Sequence, residues 1–144
     1  MGQRIMDKET VITELYSIIE ASGLADLVSR RFLTAKDLPA HVKKAIMVLD
    51  EEPENDIIYR SGNVGDVDFT VGLICYVESE KNLSSEMNEF DKKIKALLGS
   101  NRKLNGKAFS SQILPLSDKE TRGNGGLFTR PIRIQYEGVV TDGL

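Results

Sequence analysis

Tryptophan is absent from this 144-residue chain, and cysteine and histidine occur once each. Each scarcity removes a class of chemistry. A single cysteine, Cys75, forms no intramolecular disulfide and supplies none of the thiolate sets of structural zinc sites. It stands in an apolar stretch with no basic run beside it, which reads as a buried, inert thiol. A single histidine, His41, leaves a two-histidine metal site without its second member. No pattern marks partners for a Ser-His-Asp triad either, so His41, close to Pro39, reads as a loop residue. Aromatic residues are only 6%, so the core is expected to be mostly aliphatic. With 22 acidic against 19 basic residues the net charge is −3, which lacks the basic excess of a dedicated nucleic-acid binder. No apolar run approaches the roughly 18 residues of a membrane-spanning helix. The first seven residues lack the apolar core of a signal peptide, and Met6 stands where the myristoylation pattern requires Ser or Thr. The expectation is a protein made in the cytoplasm, with no membrane partner.

What is present is an ordinary globular composition, 40% apolar and 28% charged. The length fits one domain over residues 1–144. A domain of this size buries about 68–70% of its unfolded surface and needs no disulfide or metal to hold a core. Val11, Ile12, Leu15, Tyr16, Ile18 and Ile19 recur at helical spacing and predict a helix over 8–21, with Asp7 as N-cap and Gly23 as its stop. Met87, Phe90, Ile94, Leu97 and Leu98 predict a second over 84–98, capped by Ser84 or Ser85 and ended by Gly99. Residues 24–38 read as a short strand or irregular segment, with Leu38 kept out of a helix by Pro39. Residues 45–49 and 57–59 read as strands. From 67 to 77 the alternation is clean: Val67, Phe69, Val71, Leu73, Cys75 and Val77 share one face. The other face begins polar and becomes apolar, so partial cover is expected there. Asn105-Gly106 is a tight-turn signal. Residues 108–116 read as a strand, 117–126 as a long polar loop, and 128–140 as the final strand. Pro115 and Pro131 mark candidate edge strands or strand ends.

The polar clusters carry two classes of reading. Asp50, Glu51, Glu52, Glu54 and Asp56 surround Pro53 without the register or glycine of a calcium loop. They read either as a solvated turn or as a docking surface for a basic partner. The Gly123-Asn124-Gly125-Gly126 run leads into a strand, unlike a phosphate loop, which opens a helix with Gly-Lys-Ser/Thr. Arg30, Arg31, Lys36, Lys43 and Lys44 form a loose basic cluster without interleaved stacking aromatics beyond Phe32. The candidate partner-docking residues are therefore Asp50, Glu51, Glu52, Glu54 and Asp56, together with Arg122 and Asn124 and with Arg130 on the strand that follows. No catalytic, cofactor-binding or metal-binding residue is assigned. An alternative reading, a small enzyme or ligand-binding domain, needs a cleft lined by Asp66, Asp68, Tyr76 and Tyr136.

One resemblance covers most of the chain. Leu38-Pro39-Ala40 is followed by the strand at 45–49 with its acidic loop, then by the long alternating strand at 67–77 and the helix at 87–98. Leu104-Asn105-Gly106-Lys107-Ala108 comes next, and Ile132-Arg133-Ile134-Gln135-Tyr136 closes the series. In this order and spacing the chain resembles the tail terminator (tail-completion) proteins of long-tailed bacteriophages. The resemblance implies an α+β fold, a central, mostly antiparallel sheet with two main helices packed on it. It implies a homo-oligomeric ring, usually a hexamer, made in the bacterial host and placed in the virion tail. There it would cap the tail tube protein, end tube polymerisation and offer a surface to the head or its completion protein, without cofactor or catalysis. Contact with DNA in the pore is left open. The neighbouring alternative is a head-closure or head–tail joining protein.

Overall fold

The computed structural model describes residues 7–50, 56–61 and 64–139, and of residues 35, 56–61, 64 and 139 the backbone alone. The first apolar stripe forms helix α1, Lys8–Ser22, burying Val11, Ile12, Leu15 and Ile19. The Asp7 carboxylate accepts the Thr10 N–H at 2.7 Å, a side-chain N-cap. Gly23 closes the helix at φ 71°. The second stripe forms helix α2, Leu83–Gly99, burying Met87, Phe90, Ile94 and Leu98. Its N-cap position is Asn82, which makes no side-chain cap bond, so neither Ser84 nor Ser85 is the cap. Gly99 is the last helical residue and Ser100 is the C-cap.

The fold is α+β. Strands β1 (Leu27–Ser29), β2 (Lys44–Leu49), β3 (Asp56–Ser61), β4 (Val64–Glu78), β5 (Ser110–Ile113), β6 (Asp118–Arg122) and β7 (Gly125–Val139) form one seven-stranded sheet. Every pairing is antiparallel except β1 with β2. At the centre β4 and β7 pair along their whole length, from Val64↔Val139 to Glu78↔Gly125. Each carries a broken strand on its other side. Along β4 run β2 (Leu49↔Gly72) and β3 (Asp56↔Asp68). Along β7 run β5 (Ile113↔Ile132) and β6 (Asp118↔Thr129). The sheet is thus two long hairpins laid side by side, with β1 added beside β2. Among the described residues β1 and β3 bound the sheet on one side, and β5 and β6 bound it on the other.

One core joins both helices to a single face of this sheet. The alternating set Val67, Phe69, Val71, Leu73, Cys75 and Val77 is buried there with Phe128, Ile132, Ile134 and Tyr136 of β7. Edge-to-face contacts, Phe69 with Tyr136 at 5.6 Å and Phe90 with Phe128 at 6.2 Å, supply its aromatic packing. Gly126 is set by this packing, because a Cβ there would lie 2.3 Å from Met87 Sδ of α2. The opposite face changes character along its length, as the alternation predicts. At one end Ala45 and Met47 are fully buried, and the chain after β1 folds back over them with the Leu33 N–H donating to Met47 Sδ at 3.3 Å. At the other end Asp68 is buried against the Arg133 guanidinium, whose Nε lies 2.9 and 2.7 Å from the two carboxylate oxygens.

Three expectations change. The polar stretch at 117–126 is no loop: β6 runs to Arg122, and a two-residue turn, Gly123-Asn124, returns the chain into β7. Gly123, at φ 59°, provides the positive dihedral of a tight hairpin turn. Pro131 lies inside interior strand β7 and marks neither an edge nor a strand start. A residue's N–H and C=O point to the same neighbour in an antiparallel ladder. The Pro131 carbonyl accepts from Leu114 N at 2.9 Å, so its missing N–H faces the break between β5 and β6. Pro115 does fall on the outer strand, within that break. Leu104, Asn105 and Gly106 form a left-handed turn (φ 48°, 55° and 84°) that docks on α1 through Asn105 Nδ2 and Glu14 Oε2 at 2.8 Å. The strand that follows is correspondingly shorter than expected.

Candidate docking site

The tip of the β6–β7 hairpin and the end of β4 enclose an open cavity of about 530 Å³ on the face away from the helices. Register builds it. Because Glu78 pairs with Gly125 and Leu127 with Glu120, alternation sends Tyr76, Glu78, Leu127, Glu120 and Arg122 to one side. Asn124 lines the rim from the turn, and its carbonyl accepts the Ser79 N–H at 2.8 Å, fastening the tip to the chain leaving β4. Gly125 leaves room for the Tyr76 ring, which a Cβ would approach to 3.3 Å.

The cavity is lined by charges of both signs. Glu78 accepts from Lys43 Nζ at 2.8 Å and from the Tyr76 hydroxyl at 3.1 Å. These two hydrogen bonds, the Lys43 one foremost, hold its carboxyl below the usual range. Burial, and then the carboxylate it donates to, push the Tyr76 phenol up. A carboxyl whose titration is pushed down and a phenol whose titration is pushed up both move further from neutral pH, which makes a poor acid–base couple. Glu120 and Arg122 are exposed and of opposite sign. An aromatic wall flanked by both charges suits a polar peptide segment.

The expected docking residues separate into groups. Arg122 and Asn124 meet at this cavity. Asp50, just beyond the end of β2, is ion-paired with Lys8 at 3.1 Å and lies away from the tip. Glu51, Glu52 and Glu54 lie outside the described residues, as does the side chain of Asp56. Arg130 is no surface group. It faces the helices, 7% exposed, with Nε and Nη2 at 3.1 and 2.7 Å from the Asp91 carboxylate of α2. Its Nη1 donates to the Leu114 carbonyl at 2.8 Å. The proposed cleft of Asp66, Asp68, Tyr76 and Tyr136 does not form, because Tyr136 lies on the helix-covered face against Phe69.

No protein-family model matches the chain, and no curated protein does.

The remaining chemistry-bearing residues are quiet. Cys75 is fully buried, and burial pushes its thiol far up. His41 is exposed in the loop before β2. The basic cluster is dispersed: Arg30 binds Glu9 at 2.8 and 3.2 Å, Lys43 binds Glu78, and Lys44 sits over the Phe90 ring at 6.0 Å. Among the described residues no group of three or more His, Cys, Asp or Glu is placed to hold a metal ion. Among them, too, no helix is long and apolar enough to cross a membrane. Glu78 and Glu120 escaped the sequence reading, and Tyr76 entered it only as part of a different cleft. Their one signal was shared parity with Gly125 and Leu127, and it is readable only once the register is known.

Proposed function

We propose that this chain is a virion assembly protein that caps the tail tube of a long-tailed phage as a ring, ends tube growth and offers its outer surface to the head. The sequence resemblance suggests the role. The structural observation that carries it is the pair of unlike sheet edges that are open among the described residues, β1 with β3 on one side and β5 with β6 on the other. Unlike edges on opposite sides of one molecule suit a head-to-tail contact, and such contacts close into rings when the rotation allows. A hairpin tip that bears both charges and an aromatic wall adds a docking surface at the end of the second edge, where β6 turns into β7. Nothing in this role requires catalysis.

Electron microscopy of tails assembled with and without the protein tests the proposal. Omission is expected to give overlong tubes without an end ring, and adding the purified chain is expected to restore a defined length. Tubes of unchanged length and end structure would sink it. Tubes of normal length beside unattached heads would instead assign the chain to head–tail joining.

A further inference from the structure

We infer that Phe32, in the segment that follows edge strand β1, and Leu116, in the outer strand on the other side of the sheet, are the two halves of a single contact, made between successive copies of this chain around the ring. This rests on the ring reading above and names the surfaces that would build it. Among the described residues these are the large apolar side chains left exposed, Phe32 at 52% and Leu116 at 39%. They lie at opposite ends of the strand order. Phe32 follows β1, and Leu116 lies in the break between β5 and β6.

Register places them at the same height. Ser29 pairs with Met47, Met47 with Ile74, Ile74 with Thr129, and Thr129 with Asp118, one row across five strands. Phe32 is held at that row because its neighbour Leu33 donates to Met47 Sδ. Leu116 is held there because its neighbour Ser117 donates to the Thr129 carbonyl at 3.2 Å. A copy displaced along the row therefore brings Leu116 to its neighbour's Phe32 with no step along the strands. A contact without such a step favours a closed ring, whereas a stepped one propagates a helical filament. The flanks offer complementary charges within mixed surroundings. Exposed Arg31 and Lys36 neighbour Phe32, with Asp37 beside them, and exposed Asp118 and Glu120 follow Leu116, with Lys119 between them. The outer strand is broken at this point: four residues lie between Ile113 and Asp118, against two between Thr129 and Ile132 on β7. Pro115, inside the break, removes a backbone donor. A break and a proline discourage indiscriminate strand addition, so the contact is made chiefly by side chains.

Disulfide trapping tests this. Phe32→Cys and Leu116→Cys are placed in one chain, with native Cys75 buried and out of reach, and the purified protein is oxidised at its highest soluble concentration. The double variant is expected to give a ladder of cross-linked multimers ending at the ring's copy number, and each single variant is expected to give no ladder. Cross-linked dimers from Phe32→Cys alone would mean a two-fold contact and overturn the inference. Native mass spectrometry of the same samples separates the two levels. Rings without the ladder would overturn this contact and leave the ring reading standing, whereas monomers without cross-links would overturn the contact and leave the ring reading to the tail microscopy above. Phe32→Asp and Leu116→Asp, both at exposed positions, are expected to weaken association tenfold or more, about 1.4 kcal/mol each, with unchanged circular dichroism. Arg31→Glu is expected to weaken it and Asp118→Arg in the same chain to restore it. Rings undiminished in both aspartate variants would also overturn the contact.

Discussion

The two hairpins share a plan and differ in what their outer strands face. In each, a helix precedes an outer strand broken once, and an unbroken inner strand of 15 residues returns beside it. In the first, four of the six β2 residues are buried, with α1 and α2 on one side and the folded-back segment after β1 on the other. In the second, all five β6 residues are exposed. That strand is held by backbone pairing to β7 and by the clamp that Arg130 makes between α2 and the Leu114 carbonyl. A broken outer strand can therefore serve as core or as surface, and what covers it decides which. The second hairpin keeps its side chains available, and both the cavity and Leu116 lie on it.

The contrast is broken most forcefully at Arg130. Removing one partner of a buried ion pair strands the other charge and typically costs about 3–5 kcal/mol. Arg130→Ala is expected to lower stability by that amount in urea unfolding. Asp91→Ala should cost a similar amount, and the double variant should cost much less than the sum because the two act as one unit. A loss below about 1 kcal/mol would mean that the clamp does not hold the second hairpin. A smaller effect is expected at the β7 glycines. Gly126→Ala drives a methyl into Met87, and overpacking of this kind costs about 1–3 kcal/mol. The cost should shrink in a Met87→Ala background. Gly125→Ala meets the Tyr76 side chain at 3.3 Å on the open face and the Arg122 carbonyl at an ordinary 3.7 Å, and should cost less. If the two glycines respond alike, the packed and open faces of this hairpin are not as different as their burial implies.

Legibility in the sequence followed cover. Both helices and strands β4 and β7 could be read because one face of each is buried, which imposes a period on residue type. Strand β2, covered on both faces, could be read as a short continuous apolar run. β6, Asp-Lys-Glu-Thr-Arg, has no buried face and hence no period, so it passed for loop although its backbone pairs fully. Pro131 was misleading for a different reason. Whether a strand tolerates proline depends on where the missing N–H points, and that direction follows from which neighbour breaks, a tertiary fact. Of the candidate docking residues, Arg122 and Asn124 were visible as a polar turn beside glycines. Arg130 looked like their companion, but its partner Asp91 lies 39 residues away and alternation turns it inward. Asp50 looked like part of a free acidic run, yet the start of α1 brings Lys8 against it.

The weakest expected effect concerns the first hairpin, where one carboxylate adds to the backbone pairing that holds β1 beside β2. Asp26 accepts the Lys43 and Lys44 N–H groups at 2.8 and 3.1 Å. The Lys43 bond foremost, and then the Lys44 bond, holds its carboxyl below the ordinary value of 3.8, with partial burial opposing. A carboxyl lowered on folding adds stability at pH above its unfolded value and loses it as pH falls through the folded one. Asp26→Asn keeps the shape and removes the charge. It is expected to cost about 1 kcal/mol at neutral pH. Wild type and variant should converge once acid protonates Asp26 in both the folded and unfolded chains. Urea midpoints at about pH 7 and about pH 2 measure the gap. A gap that persists in acid would mean that Asp26 acts through geometry alone. A gap absent at pH 7 would mean that β1 stays in place without its tie, and the first hairpin would then owe its cover to the core beneath it and to the strap above Met47.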